Sequence, residues 1–263
     1  MQKKETNVAN PKPSDSYVQS FARGLDVIRS FSSSAPRQTL SDVANATGLT
    51  RAGARRILLT LQHLGYVQSD GKLFELTPRI LDLGYAYLSS MPIWSRAEPV
   101  MEKLGHEVQE SCSAAVLDGT DIVFVMRIPT HKILTMSLGI GSRLPAYCTS
   151  MGRTLLTGLD DETVRSVLVN SDLERHTRFT ETSIDVLCEK ISQARRQGWS
   201  IVCQELEEGL ISISAPILNK SGKIVAALNI SGHAGRTSAQ AMEAEMLQPL
   251  LSAARKISEM VAS

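Results

Sequence analysis

LSDVANATGLTRAGARRILLTLQHLGYV, residues 40–67, holds two helical periods divided by a three-residue turn. Leu40, Val43, Ala44 and Thr47 recur at helical spacing, and Gly48 stands where a left-handed cap ends a helix. Just before them, Thr39 can cap the first turn, with Asp42 favoured by the helix dipole. Gly48-Leu49-Thr50 makes the turn. Thr50 then caps a second helix, whose Ala54, Ile57, Leu58, Leu61 and Leu64 form one apolar stripe. Arg51, Arg55 and Arg56 fall outside that stripe, at the end a helix-turn-helix inserts into the major groove. Three arginines on an amphipathic helix also describe an ordinary solvated face. The adjoining segment separates the two: residues 65–68 and 73–76 alternate around Ser69-Asp70-Gly71-Lys72, a strong hairpin signal. Helix, turn, helix and hairpin in that order make a winged helix, with Lys72 at the hairpin tip placed to touch phosphate or the minor groove.

The charge distribution agrees. Over 263 residues, 28 Lys and Arg nearly cancel 27 Asp and Glu, so bulk charge names no partner. Residues 1–85, however, hold 11 basic and 7 acidic side chains, against 17 and 20 in the remainder. Only the amino end suits a polyanion, and its small excess calls for two heads on two half-sites, hence a dimer. With 43% hydrophobic residues the chain can fill real cores, yet no run approaches the ~18 apolar residues of a membrane span. Residues 1–16, MQKKETNVANPKPSDS, lack the apolar centre of a signal peptide and are expected to form a flexible polar tail. Cys112, Cys148, Cys188 and Cys203 are scattered, without CxxC or Cys/His ligand spacing. Reduced cytosolic thiols and no structural metal are expected.

Residues 17–78 form the predicted head, where Val18, Phe21, Ala22, Leu25 and Ile28 imply a helix, begun by Ser14 or Asp15, that completes its core. Residues 79–110 predict two connector helices. One runs from Pro78 through Ile80, Leu83, Gly84, Tyr87 and Leu88 towards Met91-Pro92; the other carries Trp94, Ala97, Met101, Leu104 and Val108. Their apolar faces suit either the second domain or another subunit. Residues 111–263 then alternate. Strands at 113–117 and 122–128 flank Asp118-Gly119-Thr120-Asp121, and a third lies at 133–138. Helices at 150–156, 162–169 and 184–197 precede strands from Trp199, Ile211 and Ile224, and a helix at 239–260 closes the chain. This predicts an α+β domain on an antiparallel sheet covered on one face, a common host for a small-molecule pocket.

The segment GIGSRLPAYCTSMGR, residues 139–153, is glycine-rich, then small and polar, and runs into a helix start. Thr149 or Ser150 as cap would leave backbone N–H groups free for an anion such as a carboxylate. Arg127, Arg143 and Arg153 are the candidate charged groups, since a guanidinium grips a carboxylate with two parallel bonds. Taken singly, Gly139 and Gly141 are chain turns and Ser150 is a cap; the loop as a whole favours a ligand contact.

Three motifs in order, ARGLDVI at 22–28 with LSDVANATGLTRAGARRILLTL and LGYV, GSRLPAYCTSMGR at 141–153, and QGWSIVCQELEEGLISISAPI at 197–217 with AALNISG at 226–232, resemble the IclR family of bacterial transcriptional regulators. The resemblance runs from about Tyr17 onward, and its second half implies a GAF-like effector domain. TRAGARRILLTL and RLPAYCTSMGR are most similar to regulators of the protocatechuate and 4-hydroxybenzoate branches of the β-ketoadipate pathway. The resemblance implies a cytoplasmic homodimer or tetramer on operator DNA, an activator responding to a small carboxylic acid. It places DNA contacts on Thr50, Arg51, Ala52, Gly53, Arg55 and Arg56, with Arg51 and Arg55 on bases. It places effector contacts on Ser150, Met151, Cys203, Glu205 and Ser212, with Tyr147 and Thr149 adjacent. Other members often carry Ser and Thr at the positions of Ala52 and Gly53, and some carry an acid at Cys203.

Other classes stay in view: a repressor of another carbon-source pathway, a DNA-binding protein whose second domain only dimerises, or an enzyme. For the last, Cys148 or Cys203 could pair with His106, His131, His176 or His233, but no GxSxG, HExxH, Walker or Rossmann pattern gathers such groups or points to a cofactor.

Overall fold

Capping chemistry sets the two helices of residues 40–63 where the sequence places them, while the helix before them starts at Gln19 with no side-chain cap. The computed structural model describes residues 17–90, 93–129 and 138–262, and the chain divides between Ala86 and Tyr87 into two units. The first contains α1 (Gln19–Ser30), β1 (Arg37–Thr39), α2 (Leu40–Thr47), α3 (Arg51–His63), β2 (Val67–Ser69) and β3 (Leu73–Leu76). Thr39 accepts a hydrogen bond from the Asp42 amide at 3.2 Å while Asp42 accepts from the Thr39 amide at 2.9 Å, a complete capping box on α2. The Thr39 hydroxyl, then its amide, hold the Asp42 carboxyl below the usual aspartate range. Gly48, at φ 65°, ends α2 in the left-handed conformation, and the Thr50 hydroxyl caps α3 by accepting from the Gly53 amide at 3.1 Å.

Val27, Val43, Ala44, Ala54, Leu58, Leu61 and Val67 make the core of this unit, and a small antiparallel sheet of order β1-β3-β2 covers it. Two expectations are corrected. Val18, Phe21 and Leu25 are exposed, whereas Val27 is fully buried with Ile28 and Phe31 packed beside it. At 100° per residue α1 carries two apolar faces that meet at Ile28, and a one-sided core takes the Val27 face. Leu64 is exposed as well, because it lies one residue past the last turn of α3.

A 3-10 turn at Pro78–Ile80, capped by Thr77, leads into α4 (Leu81–Ser89), which buries no side chain. α5 (Ile93–Val108) sends Trp94, Ala97, Met101 and Leu104 into the core of the second unit, so it packs there as a core helix. That unit adds β4 (Ser111–Asp118), β5 (Asp121–Ile128), β6 (Arg143–Pro145), α6 (Ser150–Leu156), α7 (Asp161–Val169) and α8 (Ile184–Gln197). It is completed by β7 (Ser200–Cys203), β8 (Leu210–Leu218), β9 (Ile224–His233) and α9 (Ala239–Ala262). Its six strands are antiparallel throughout, in the order β6-β5-β4-β9-β8-β7.

This sheet is covered on both faces rather than one. Cys112, Ala114, Val125, Ile213 and Leu228 pack towards α5 and α9, while Ala115, Ile122, Phe124 and Ala227 pack towards α6, α7 and α8. Alternation along the strands assigns neighbouring residues to opposite faces, so small residues are needed on both. The expected strand at 133–138 falls outside the described residues except for Leu138, and the described strand that pairs with β5 on the side away from β4 is β6. Ser14, Asp15, Met91, Pro92 and His131 also lie outside them.

Candidate ligand cavity and nucleic-acid interface

α3 presents its first turn outward. Arg51, Ala52, Arg55 and Arg56 are exposed, Gly53 is half-buried, and the three guanidiniums form no ion pair among the described residues. Thr50 spends its hydroxyl on the cap, so its position is tied to the helix it starts. At the β2–β3 turn, Asp70 accepts from the amides of Lys72 at 3.0 Å and Leu73 at 2.8 Å, and Gly71 takes φ 96°. Those amides, Leu73 first, pull the Asp70 carboxyl below its ordinary range. Arg37 matches the Asp70 charge at 2.6 Å, which leaves the exposed Lys72 as the cation at the tip.

In the second unit, strand register builds a polar floor. Ser111, Ser231 and Ser212 pair across β4, β9 and β8, and Ser113, Asn229 and Ser214 form the next row. Asn229 accepts from the Ser113 amide at 3.0 Å and donates to the Ser231 hydroxyl at 2.9 Å. α6 lies on these rows through hydroxyl pairs: Ser150 with Ser212 at 2.9 Å and Thr154 with Ser214 at 2.6 Å. Four helical residues rise about 6 Å and two strand residues about 6.7 Å, so the two spacings nearly match.

A cavity of about 40 Å³ opens between this floor and α6. Its polar lining is Ser111, Ser113, Ser212, Asn229 and Ser231, with Thr149 and Ser150 at the start of α6. Ile122, Phe124, Leu138, Leu144, Met151, Leu206 and Leu210 supply apolar walls. Arg127 is the one cation among the described lining residues. It is half-buried and has no hydrogen bond or ion pair among them, and burial pulls its guanidinium below its usual value. It stays charged, because a guanidinium is not deprotonated in proteins.

Of the sequence-nominated contacts, Arg127, Thr149, Ser150, Met151 and Ser212 are brought together here. Arg143 is not. It stands exposed on β6, bonded to Asp118 at 2.6 Å and Asp121 at 3.1 Å, because the tight β4–β5 turn offers two carboxylates beside it. Cys203 is exposed on the edge strand β7. Tyr147 is fully buried, and its hydroxyl donates to the Glu174 carbonyl at 2.5 Å. Glu205 is buried behind α6, where Arg153 donates to it at 2.6 Å. Burial pushes the Cys148 thiol up to about 12, leaving it protonated at neutral pH.

Sequence reasoning missed Gly152 and the serine rows. A Cβ on Gly152 would lie 2.1 Å from the Ala146 carbonyl oxygen, so only glycine lets the loop fold onto α6. Nothing in its spacing signals that approach. The alternation of Ser111 with Ser113 and of Ser212 with Ser214 was visible, but cross-strand register decides that they face one another.

A winged head with exposed arginines and a sheet domain enclosing a cation-bearing cavity define a DNA-binding regulator with a sensing domain. The family models agree: the IclR helix-turn-helix domain matches residues 20–71, and the bacterial transcriptional regulator IclR C-terminal domain matches residues 85–259. The chain belongs to the IclR family. It is 42% identical over 242 residues to the Pca regulon regulatory protein of Pseudomonas putida, covering 92% of this chain and 83% of the relative. It is 32% identical to the p-hydroxybenzoate hydroxylase transcriptional activator of Acinetobacter baylyi, covering 94% and 93%. A solved chain from Rhodococcus sp. RHA1 superposes with a TM-score of 0.83 at 50% identity, covering 93% and 98%. The protein is a transcription regulator and not an enzyme. Among its described residues no helix is long and apolar enough to cross a membrane.

Proposed function

We propose that this chain is an activator of aromatic-acid catabolism genes that acts in the cytoplasm. It binds operator DNA as a homodimer or tetramer and responds to a small carboxylic acid such as protocatechuate, 4-hydroxybenzoate or β-ketoadipate. The observation that carries the effector class is Arg127, a part-buried cation with no counter-charge among the described residues, facing a floor of hydroxyls and an amide. A carboxylate supplies the missing charge, and the serine rows suit a second polar group at the far end. The Acinetobacter relative is named as a p-hydroxybenzoate hydroxylase transcriptional activator, which supports both the aromatic-acid pathway and the sign of regulation.

In the head, Arg51 and Arg55 are assigned to base edges, with Arg56, Thr50 and Lys72 on phosphate and Ala52 and Gly53 against the groove. The exposed row of Tyr17, Val18, Phe21 and Leu25 supports association of two heads. The cavity must widen for its ligand, since 40 Å³ falls far below the roughly 300 Å³ at which small-molecule pockets begin. Leu138 stands on irregular chain and can yield, whereas the floor is fixed by strand pairing.

Calorimetric titration of the full chain with the three acids tests this reading. Binding of at least one upholds it. Silence from all three, with binding of an unrelated sugar, overturns it.

A further inference from the structure

Arg153 and Glu205 are nearly inaccessible, at 3% and 6%, and neither lines the cavity. They are nevertheless joined to both of its sides. Arg153 sits on α6, three residues after Ser150 and two after Met151. Its Nε donates to the Tyr147 carbonyl at 2.9 Å, which fixes the approach to that helix. Glu205 immediately precedes Leu206 in the β7–β8 turn, beside Gln204, which takes the left-handed φ of 58°.

One carboxylate gathers four separate stretches of chain. Arg153 donates to it at 2.6 Å, the Glu181 amide at 3.1 Å, and the Lys190 ammonium of α8 at 3.4 Å, while the carboxylate itself belongs to the β7–β8 turn. The Glu205 carbonyl also accepts from the Thr180 hydroxyl at 2.6 Å. A buried ion pair of this kind is a weak source of stability against an apolar replacement, though it fixes geometry through directional, charge-assisted bonds.

We propose that Arg153 and Glu205 are the positioning pair of the effector cavity. They hold the start of α6 and the Leu206 turn at a fixed separation, and so set effector affinity without touching the effector. The sequence motifs place Glu205 among the ligand contacts; its geometry makes it the tie behind them. The proposal rests on the cavity being the effector site.

The test uses the full chain and the same three acids. Glu205→Gln and Arg153→Met should each weaken the bound acid by about tenfold, and the double variant should lose no more than the worse single, because the two act as one unit. Glu205→Asp should recover part of the loss. Asp161→Asn, which breaks the exposed Arg195–Asp161 pair at 2.6 Å, should leave affinity unchanged. Unchanged affinity in Glu205→Gln despite a lower Tm, or simple addition of the two losses, overturns the proposal. Should a single variant fail to fold, Arg153→Met/Glu205→Met removes both buried charges together, and its affinity is read by the same criterion: weakened binding supports the tie, unchanged binding overturns it. Hydrogen exchange gives a readout that needs no ligand. In Glu205→Gln the amides of 149–153 and 204–210 should speed up together, and acceleration confined to one segment overturns the tie even if the wild type ignores every acid.

Discussion

Gly152 has the sharpest steric requirement in the site. Its missing side chain lets the Ala146 carbonyl approach α6, and a methyl group would sit 2.1 Å from that oxygen and 2.3 Å from the Ala146 Cα. Both obstacles are backbone, so neither can swing aside. Gly152→Ala should therefore lower the Tm clearly and abolish acid binding, because Thr149, Ser150 and Met151 follow the displaced loop. A variant with unchanged melting and affinity would show the approach to be slack. At this scale the sequence was partly legible. Arg127 and Arg143 looked equivalent as candidate carboxylate grips, and only the fold distinguishes them. Two aspartates from the β4–β5 turn take Arg143, while Arg127 lines the cavity with no such partner among the described residues. Glu205 was visible as a candidate contact by resemblance, but Arg153, 52 residues away in sequence, could not be known as its counter-ion.

Elements whose signals are local were the most legible. α2 and α3 begin at threonine caps and the wing turns at Asp70-Gly71, as expected from side-chain and φ preferences that do not depend on distant residues. β1 escaped notice because three residues carry no measurable period, and its existence depends on pairing with β3. α1 was found with the wrong face inward, since two apolar rows compete and only the position of α2 and α3 selects one. The functional expectation at this scale concerns α3. Arg51→Ala and Arg55→Ala should each cost about 1–3 kcal/mol on duplex DNA selected from a random pool, with relaxed preference at the bases they contact. Equal affinity and equal preference in both variants would remove α3 from base reading. Neither side chain is buried, so melting should hardly change and folding losses will not confuse the comparison.

For the molecule as a whole, the two units divide the work along the chain. The amino-terminal residues carry the cationic excess, and the carboxy-terminal sheet carries a cavity with a charge of its own. Under the proposed function, regulation requires that the acid bind one conformation of the whole more tightly than another, since a ligand with equal affinity for both shifts nothing. Linkage then makes the effect reciprocal: whatever factor the acid imposes on DNA affinity, DNA imposes on acid affinity. This coupling leaves no trace in periodicity, which explains why composition and motifs reach the two functions but not the link between them.

The most direct measurement is DNA affinity of the full chain for its selected duplex, with and without the acid that calorimetry identifies, in wild type and Arg127→Met. The account predicts a shift of roughly 5- to 150-fold in the wild type. In Arg127→Met it predicts no shift, with acid-free DNA binding unaltered. An equal shift in both proteins would show that the acid acts somewhere other than this cavity, and would contradict the account.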